Sequence, residues 1–294
     1  MNRRYNLSYK IFTVLIYLFI IAVTIVCVLP FWMVLINSFA AEENILRNGY
    51  QLMPEKFSTY AYTYLMRGKQ IYSSYKVTIS VTFTGTVTAV ILSSMYAYVI
   101  ANKRIKYRNI ISFMTYFTMI FGGGMVSTYM LIANWLHLKD NILALILPYI
   151  MNPFFVFILV SFFRTIPDEL GEAAIIDGAN EAYAFFRIIW PVSTPALASV
   201  ALLYALQYWN DFWLALMYID NYKLHPLQIM IRQLLSSARI DQYTGSMSAV
   251  VNQLTPNYGV QLSTVVLTIG PIVVLYPFLQ RYFVKGLMIG SIKG

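Results

Sequence analysis

The sequence predicts an all-α polytopic membrane protein: six transmembrane helices in a single transmembrane domain over residues 1–294, with a cytoplasmic two-helix loop between the fourth and fifth. Apolar residues make up 59% of the chain and charged residues only 11%, against about 25% charged in an ordinary soluble domain. The apolar residues gather in long uncharged runs, and a helix needs roughly 20 such residues to cross a bilayer. The 21 lysines and arginines are scattered between those runs, a pattern that suits membrane topology and gives no basic face for nucleic acid. The single cysteine, Cys27, excludes an internal disulfide framework and a Cys-based metal site.

The first span, Ile11–Asn37, follows Arg3, Arg4 and Lys10. Its apolar stretch is longer than the roughly 7–15 residues of a signal-peptide core, so it reads as an uncleaved helix. In the second, Ser74–Ala101, Thr78, Ser80, Thr82, Thr84, Thr86 and Thr88 alternate with mostly apolar residues, the period of a barrel strand. A lone strand cannot satisfy its backbone in lipid. On a helix, Thr78, Thr82, Thr86, Ala89, Ser93 and Ala97 instead form a stripe of small residues for close packing. The third span, Tyr107–Ala133, contains Gly122-Gly123-Gly124 without the Lys-Ser/Thr of a phosphate loop, which leaves a flexible point or a close helix contact. Pro148 and Pro153 interrupt the fourth span, Asn141–Phe163, and Pro271 and Pro277 the sixth, Gly259–Val284. Each proline frees a backbone carbonyl that a neighbouring helix or cavity water must satisfy. The fifth span is Ser193–Tyr218.

Basic residues set the direction. Arg3, Arg4 and Lys10, then Lys103, Arg104, Lys106 and Arg108, then Arg281, Lys285 and Lys293 fall on one side if every span crosses, while the opposite loops carry theirs more thinly. The positive-inside rule makes that side, with both termini, cytoplasmic.

The loop 164–191 holds five of the twelve acidic residues on this otherwise basic side. Thr165 can cap a helix whose first turn holds Pro167, Asp168 and Glu169, since proline is tolerated there and carboxylates favour the positive end of the dipole. The helix runs through Glu172-Ala173-Ala174 to about Ile176, and Asp177-Gly178 breaks it. Asn180 can cap a second short helix that continues toward Ile189 and stops at Pro191. Surface-lying helices usually carry Lys and Arg against anionic lipid. This acidic, alanine-bearing pair suits a groove on a basic protein partner instead.

Glu172-Ala173-Ala174, then Gly178, Ile188 and Pro191, resemble the EAA loop of ABC importer permeases. Asp177-Gly178-Ala179 has the form common in the carbohydrate, maltose-type branch, and Trp190 stands where that family has leucine. The resemblance extends along nearly the whole chain, through Gly123–Tyr129, Trp209-Asn210-Asp211-Phe212 and the tail Gln280–Gly286. Pro226-Leu227-Gln228, Arg232 and Leu234-Leu235 are similar to the sub-branch serving complex polysaccharide fragments, including alginate or pectin pieces.

The resemblance implies a multi-pass subunit of a bacterial cytoplasmic (inner) membrane. It implies that two homologous permeases form the pore, that a cytoplasmic ATPase dimer sits beneath, and that an extracellular or periplasmic sugar-binding protein delivers an oligosaccharide. It implies no cofactor in this chain, since ATP and magnesium belong to the ATPase, and no catalytic residue or metal site. Carried onto this chain, Glu172 meets a basic group of the ATPase, Ala173 and Ala174 allow close contact, and Asp177, Gly178 and Ala179 form the bend that Pro191 follows. The C-terminal tail is a further candidate for ATPase contact.

Trp209-Asn210-Asp211-Phe212-Trp213 lies about 30 Å above Pro191 at about 1.5 Å per residue, near the outer interface. Asp211 is the one acidic residue inside a predicted span, which makes it a functional candidate. Outer gate or sugar path on one side, and interfacial anchoring by a tryptophan belt on the other, both fit. Tyr129, Tyr204 and Tyr208 are further candidates for the path, since aromatic rings stack on sugars, although tyrosine also marks interfaces. In the loop 219–258, Leu224, Leu227, Ile231, Leu234 and Ala238 recur at helical spacing beside Lys223, His225, Arg232 and Arg239. His137 and His225 are too isolated to serve as ligands. An ion-coupled secondary transporter or channel is the alternative, but it normally leaves carboxylates near mid-membrane, where this chain has none. A membrane-embedded enzyme lacks its acid/base pair or metal constellation.

Overall fold

The computed structural model describes residues 7–176, 178–244 and 258–274. Among them the chain is helical, with one isolated bridge between Ala40 and Phe57. It divides into two compact units, residues 1–68 with 233–270, and residues 69–232 with 271–294.

The first unit begins with α1 (Leu7–Asn37), whose apolar side chains are exposed from Tyr9 to Trp32. At 31 residues and about 1.5 Å per residue it is long enough to cross a bilayer. The end of α1 is pinned by polar side chains. Asn37 donates to the Met33 and Gln51 carbonyls at 2.8 and 2.7 Å and accepts from the Gln51 amide at 3.0 Å. The short helices α2 (Glu42–Asn48) and α3 (Tyr60–Arg67) follow. Glu42 accepts the Tyr258 and Gly259 amides at 2.9 and 2.8 Å, closing the N-terminus of the helix Tyr258–Val274, where free N–H groups favour a carboxylate.

In the second unit, α4 (Lys69–Ala101) is the central helix. It packs on α8 (Pro153–Phe163) and α12 (Thr194–Asn210) with Val77, Val81, Ala89, Ala97, Leu159 and Val200 in one core. The small-residue stripe explains the closeness. A Cβ at Gly85 would lie 2.7 Å from the Tyr208 ring, so the ring rests on bare backbone. The Ser93 and Tyr204 hydroxyls bond at 2.6 Å across the same seam.

Three of the expected spans are broken rather than continuous. In the third, α5 (Arg108–Ile120) and α6 (Gly124–Tyr129, extended by a π turn to Trp135) meet at 114°. Gly124 has φ +78° and no neighbour a Cβ would touch, so the triple glycine is a bend and not a close contact. In the fourth, α7 (Leu143–Ile146) and a 3₁₀ turn containing Pro148 meet α8 at 50°. Pro153 opens α8 under an Asn152 cap, whose side chain accepts from Phe154 N at 3.0 Å. In the fifth, α12 ends at Asn210 and a separate helix, α13 (Trp213–Tyr218), begins beyond Asp211. After a 3₁₀ turn at Tyr222–Leu224 comes α14 (Leu227–Thr244), which matches the periodic segment expected after the fifth span. Among the described residues two helices can cross a membrane alone, and up to five if each bent pair is one crossing. The expected end of the sixth span, Pro277 and the tail Gln280–Gly286 lie outside the described residues.

Candidate functional site

The loop 164–191 folds as two short helical pieces at the C-terminal end of α4. The first is α9 (Asp168–Ile176). Thr165 is not its cap: the hydroxyl donates back to the Phe162 carbonyl at 2.7 Å and closes the end of α8. Asp168 and Glu169 occupy the first turn of α9, where the dipole favours them. At the other end the Ala179 amide bonds the Ala174 carbonyl at 2.9 Å and the Gly178 amide the Ile175 carbonyl at 3.0 Å, with Gly178 at φ +86°. That pair of bonds is a Schellman stop, which needs a left-handed residue after the helix. Nothing lies within 4 Å of a Cβ built at Gly178, so glycine is required by backbone conformation and not by space.

Asn180 caps the second piece as expected, accepting the Tyr183 amide at 2.8 Å. The α-helical part, α10 (Glu181–Ala184), is short and widens into a π turn over Phe185–Ile189. It does not stop at Pro191. Pro191 lies in α11 (Trp190–Val192), which continues directly from the π turn, and the 83° bend toward α12 falls at Ser193. The π turn aims Phe185 into an aromatic cluster with Tyr98 (5.1 Å between ring centroids), Phe163 (6.5 Å) and Trp190 (5.6 Å, perpendicular). Trp190, the departure from the family's leucine, therefore has a packing role.

Ala174 is buried and Ala179 half-buried, while Ile176 is 85% exposed and Leu170 41%. Asp177 and the side chains of Glu172 and Ala173 lie outside the described residues. The loop thus presents an apolar, acidic helix to its surroundings while its second half is fixed in the core. Between loop and α4 runs a cleft lined by Tyr98, Lys103, Arg104, Arg164, Asp168 and Glu181, among others.

The candidates proposed for a sugar path are differently placed. Tyr204 is fully buried, and its hydroxyl meets Ser93 and accepts the Asn152 amide at 2.9 Å. Tyr208 is buried and donates to the Ile146 carbonyl at 2.9 Å. Tyr129 stacks on Tyr218 at 5.7 Å. Trp209 is buried, and Asn210 is exposed with its amide on the Leu206 carbonyl. Asp211 accepts the Tyr149 hydroxyl at 2.9 Å and the Leu214 amide at 3.1 Å, so it closes the N-terminus of α13 across the break. In this conformation the hydroxyls of Tyr204 and Tyr208 are spent on packing.

Sequence reasoning passed over Asp140. With φ +57°, it accepts the Asp220 and Asn221 amides at 2.7 Å each and fixes the loop before α7 to the loop after α13. Lys139 pairs with Asp220 at 2.7 Å, which raises the ammonium pKa above its ordinary value. Gln70 and Ser73 of α4 donate to the Tyr222 and Lys223 carbonyls, completing the fastening. An aspartate directly before a turn was the available signal. Among the described residues no three His, Cys, Asp or Glu side chains come together as a metal site would need.

Residues 89–289 match the family described as the inner membrane component of binding-protein-dependent transport systems. The chain belongs to this family. The permease is 37% identical over 97% of its length, and 99% of the relative's, to the polygalacturonan/rhamnogalacturonan transport system permease protein YtcP of Bacillus subtilis. It is 31% identical, over 83% of its length and 85% of the relative's, to the trehalose transport system permease protein SugB of Mycobacterium tuberculosis. A crystal structure of a bacterial ABC transporter involved in the import of the acidic polysaccharide alginate has a chain that superposes on the permease with a TM-score of 0.86 at 26% identity, covering 96% of the permease and all of that chain.

Proposed function

We propose that this permease forms half of the translocation pore of an ATP-binding-cassette importer for oligosaccharides and that the loop 164–191 is its coupling element. The observation that carries the reading is the loop's form: a helix stopped at left-handed Gly178, presenting Leu170, Ile176 and carboxylates outward while Phe185 fastens its second half to the core. A second homologous permease completes the pore, and the whole chain acts as one six-span transmembrane domain with both termini cytoplasmic. A cytoplasmic ATPase dimer grips the loop through Glu172, Ala173, Ala174, Asp177, Gly178 and Ala179, and supplies the ATP and magnesium chemistry. This chain's own part is mechanical: when nucleotide draws the two ATPase subunits together, the loops move with them and the attached helices tilt, a two-state switch.

The cargo is an acidic oligosaccharide delivered by a binding protein. The pectin-type relative and the alginate-importer neighbour support this, as do Arg67, Lys69, Lys223 and Arg232 on the outer segments. Asn210 and Tyr129 remain candidates for contact along the path, beside Asp211, whose cap controls the break between α12 and α13. The test is ATP hydrolysis by the assembled complex in lipid with its binding protein, across trigalacturonate, an alginate trimer and maltotriose. Stimulation by the two uronic trimers and none by maltotriose is expected. Stimulation by maltotriose alone overturns the acidic assignment, and the absence of any co-purifying ATPase overturns the importer reading.

A further inference from the structure

The loop is joined through the chain to α8 and α12, but not to α4, the helix on which both of them pack. Whatever moves the loop must reach α4 through side chains. Among the described residues, two polar contacts make that connection, one from the first residue of each short helix. Asp168, which opens α9, receives the Lys103 ammonium at 2.7 Å. Glu181, which opens α10, receives the Tyr98 hydroxyl at 3.0 Å. Tyr98 and Lys103 lie on either side of the point where α4 ends, at Ala101.

We infer that these two contacts form a latch by which the coupling loop pulls on α4, and that Lys103, Asp168, Tyr98 and Glu181 are positioning residues for the transport cycle. The inference rests on the coupling role proposed above. Carboxylates at the first position of a helix are already favoured by the dipole and need no outside partner. Here one turns to α4 itself, at Tyr98, and the other to Lys103 in the turn two residues past its end. The Lys103 and Asp168 side chains are 70% and 55% exposed, and such a pair contributes little to folding. Its use is therefore directional: an ion pair and a charge-assisted hydrogen bond at separate points resist rotation of the loop about either one. The aromatic contact of Tyr98 with Phe185 backs the second point with packing, and the first point has only its charges.

The experiment follows α4 directly and needs no knowledge of the cargo. In a Cys27→Ser background, Tyr72→Cys places a thiol on the exposed outer part of α4. Its rate of modification by a maleimide is measured in the complete complex in lipid, with and without MgATP and vanadate. Nucleotide is expected to change that rate, and Asp168→Asn or Lys103→Met to shrink the change by about threefold to tenfold. Exchanging the charges, Lys103→Asp with Asp168→Lys, is expected to restore it, which a merely structural defect would not allow. Tyr98→Phe, which keeps the ring and loses only the hydroxyl, is expected to shrink it less. An α4 response that is absent in the parent complex, or present and unaltered in Asp168→Asn and Lys103→Met, overturns the latch. Ile176→Cys in the same background separates the two readings: if the ATPase shields that thiol, coupling stands whatever becomes of the latch.

Discussion

The two halves of the loop 164–191 are built by different physics. From Glu181 onward the chain is held by packing, with Phe185 and Ile189 buried and Phe185 among Tyr98, Phe163 and Trp190. From Asp168 to Ile176 the described contacts are lighter: one buried small side chain, Ala174, a glycine stop and an exposed ion pair, with Leu170 and Ile176 exposed. Packing makes a part that cannot shift without repacking the core, whereas a stop and an ion pair make one that can adjust to a partner and still transmit a push. The coupling role proposed for the loop uses both, a half free to dock and a half anchored in the core.

The contrast can be broken hardest at the joint. Gly178→Pro cannot adopt φ +86° and removes the amide that bonds Ile175, so uptake into cells is expected to fall to background while membrane fractionation still finds the protein inserted. Phe185→Ala attacks the anchored half. Emptying an aromatic core site costs about 3–5 kcal/mol, and the thermal midpoint of the purified complex is expected to drop accordingly. Gly85→Ala leaves the loop alone and presses the Tyr208 ring from 2.7 Å; overpacking costs about 1–3 kcal/mol, visible as a smaller drop in the same midpoint. Asp168→Asn, in the adjustable half, is expected to change that midpoint by less than the equivalent of about 1 kcal/mol. Equal drops for Phe185→Ala and Asp168→Asn would erase the distinction between the halves.

Much of this was legible from spacing. The acidic run with a Gly and an Asn at its bend predicts two capped helices, and Gly178 and Asn180 perform those roles. The small-residue stripe on α4 is a packing seam because its spacing is helical, whatever the alternating threonines suggest. Thr165 misled because a hydroxyl between two helices can bond backward as readily as forward, and the local sequence does not say which. The π turn was invisible for a related reason: widening a helix by one residue to seat Phe185 is decided by the cavity it enters, on α4 and α8. Tyr204 and Tyr208 carry the composition of a sugar path and the geometry of a helix seam, a difference that only the distant partners Ser93, Asn152, Ile146 and Gly85 reveal.

The most direct measurement is cross-linking from the exposed tip of α9. With Cys27→Ser and Ile176→Cys, a short bifunctional thiol reagent added to inner-membrane vesicles is expected to join the permease to its ATPase subunit, with a yield that changes on adding MgATP. Modification of that thiol in intact cells by a reagent that cannot cross the membrane, with no ATPase adduct in vesicles, would contradict the coupling role of the loop.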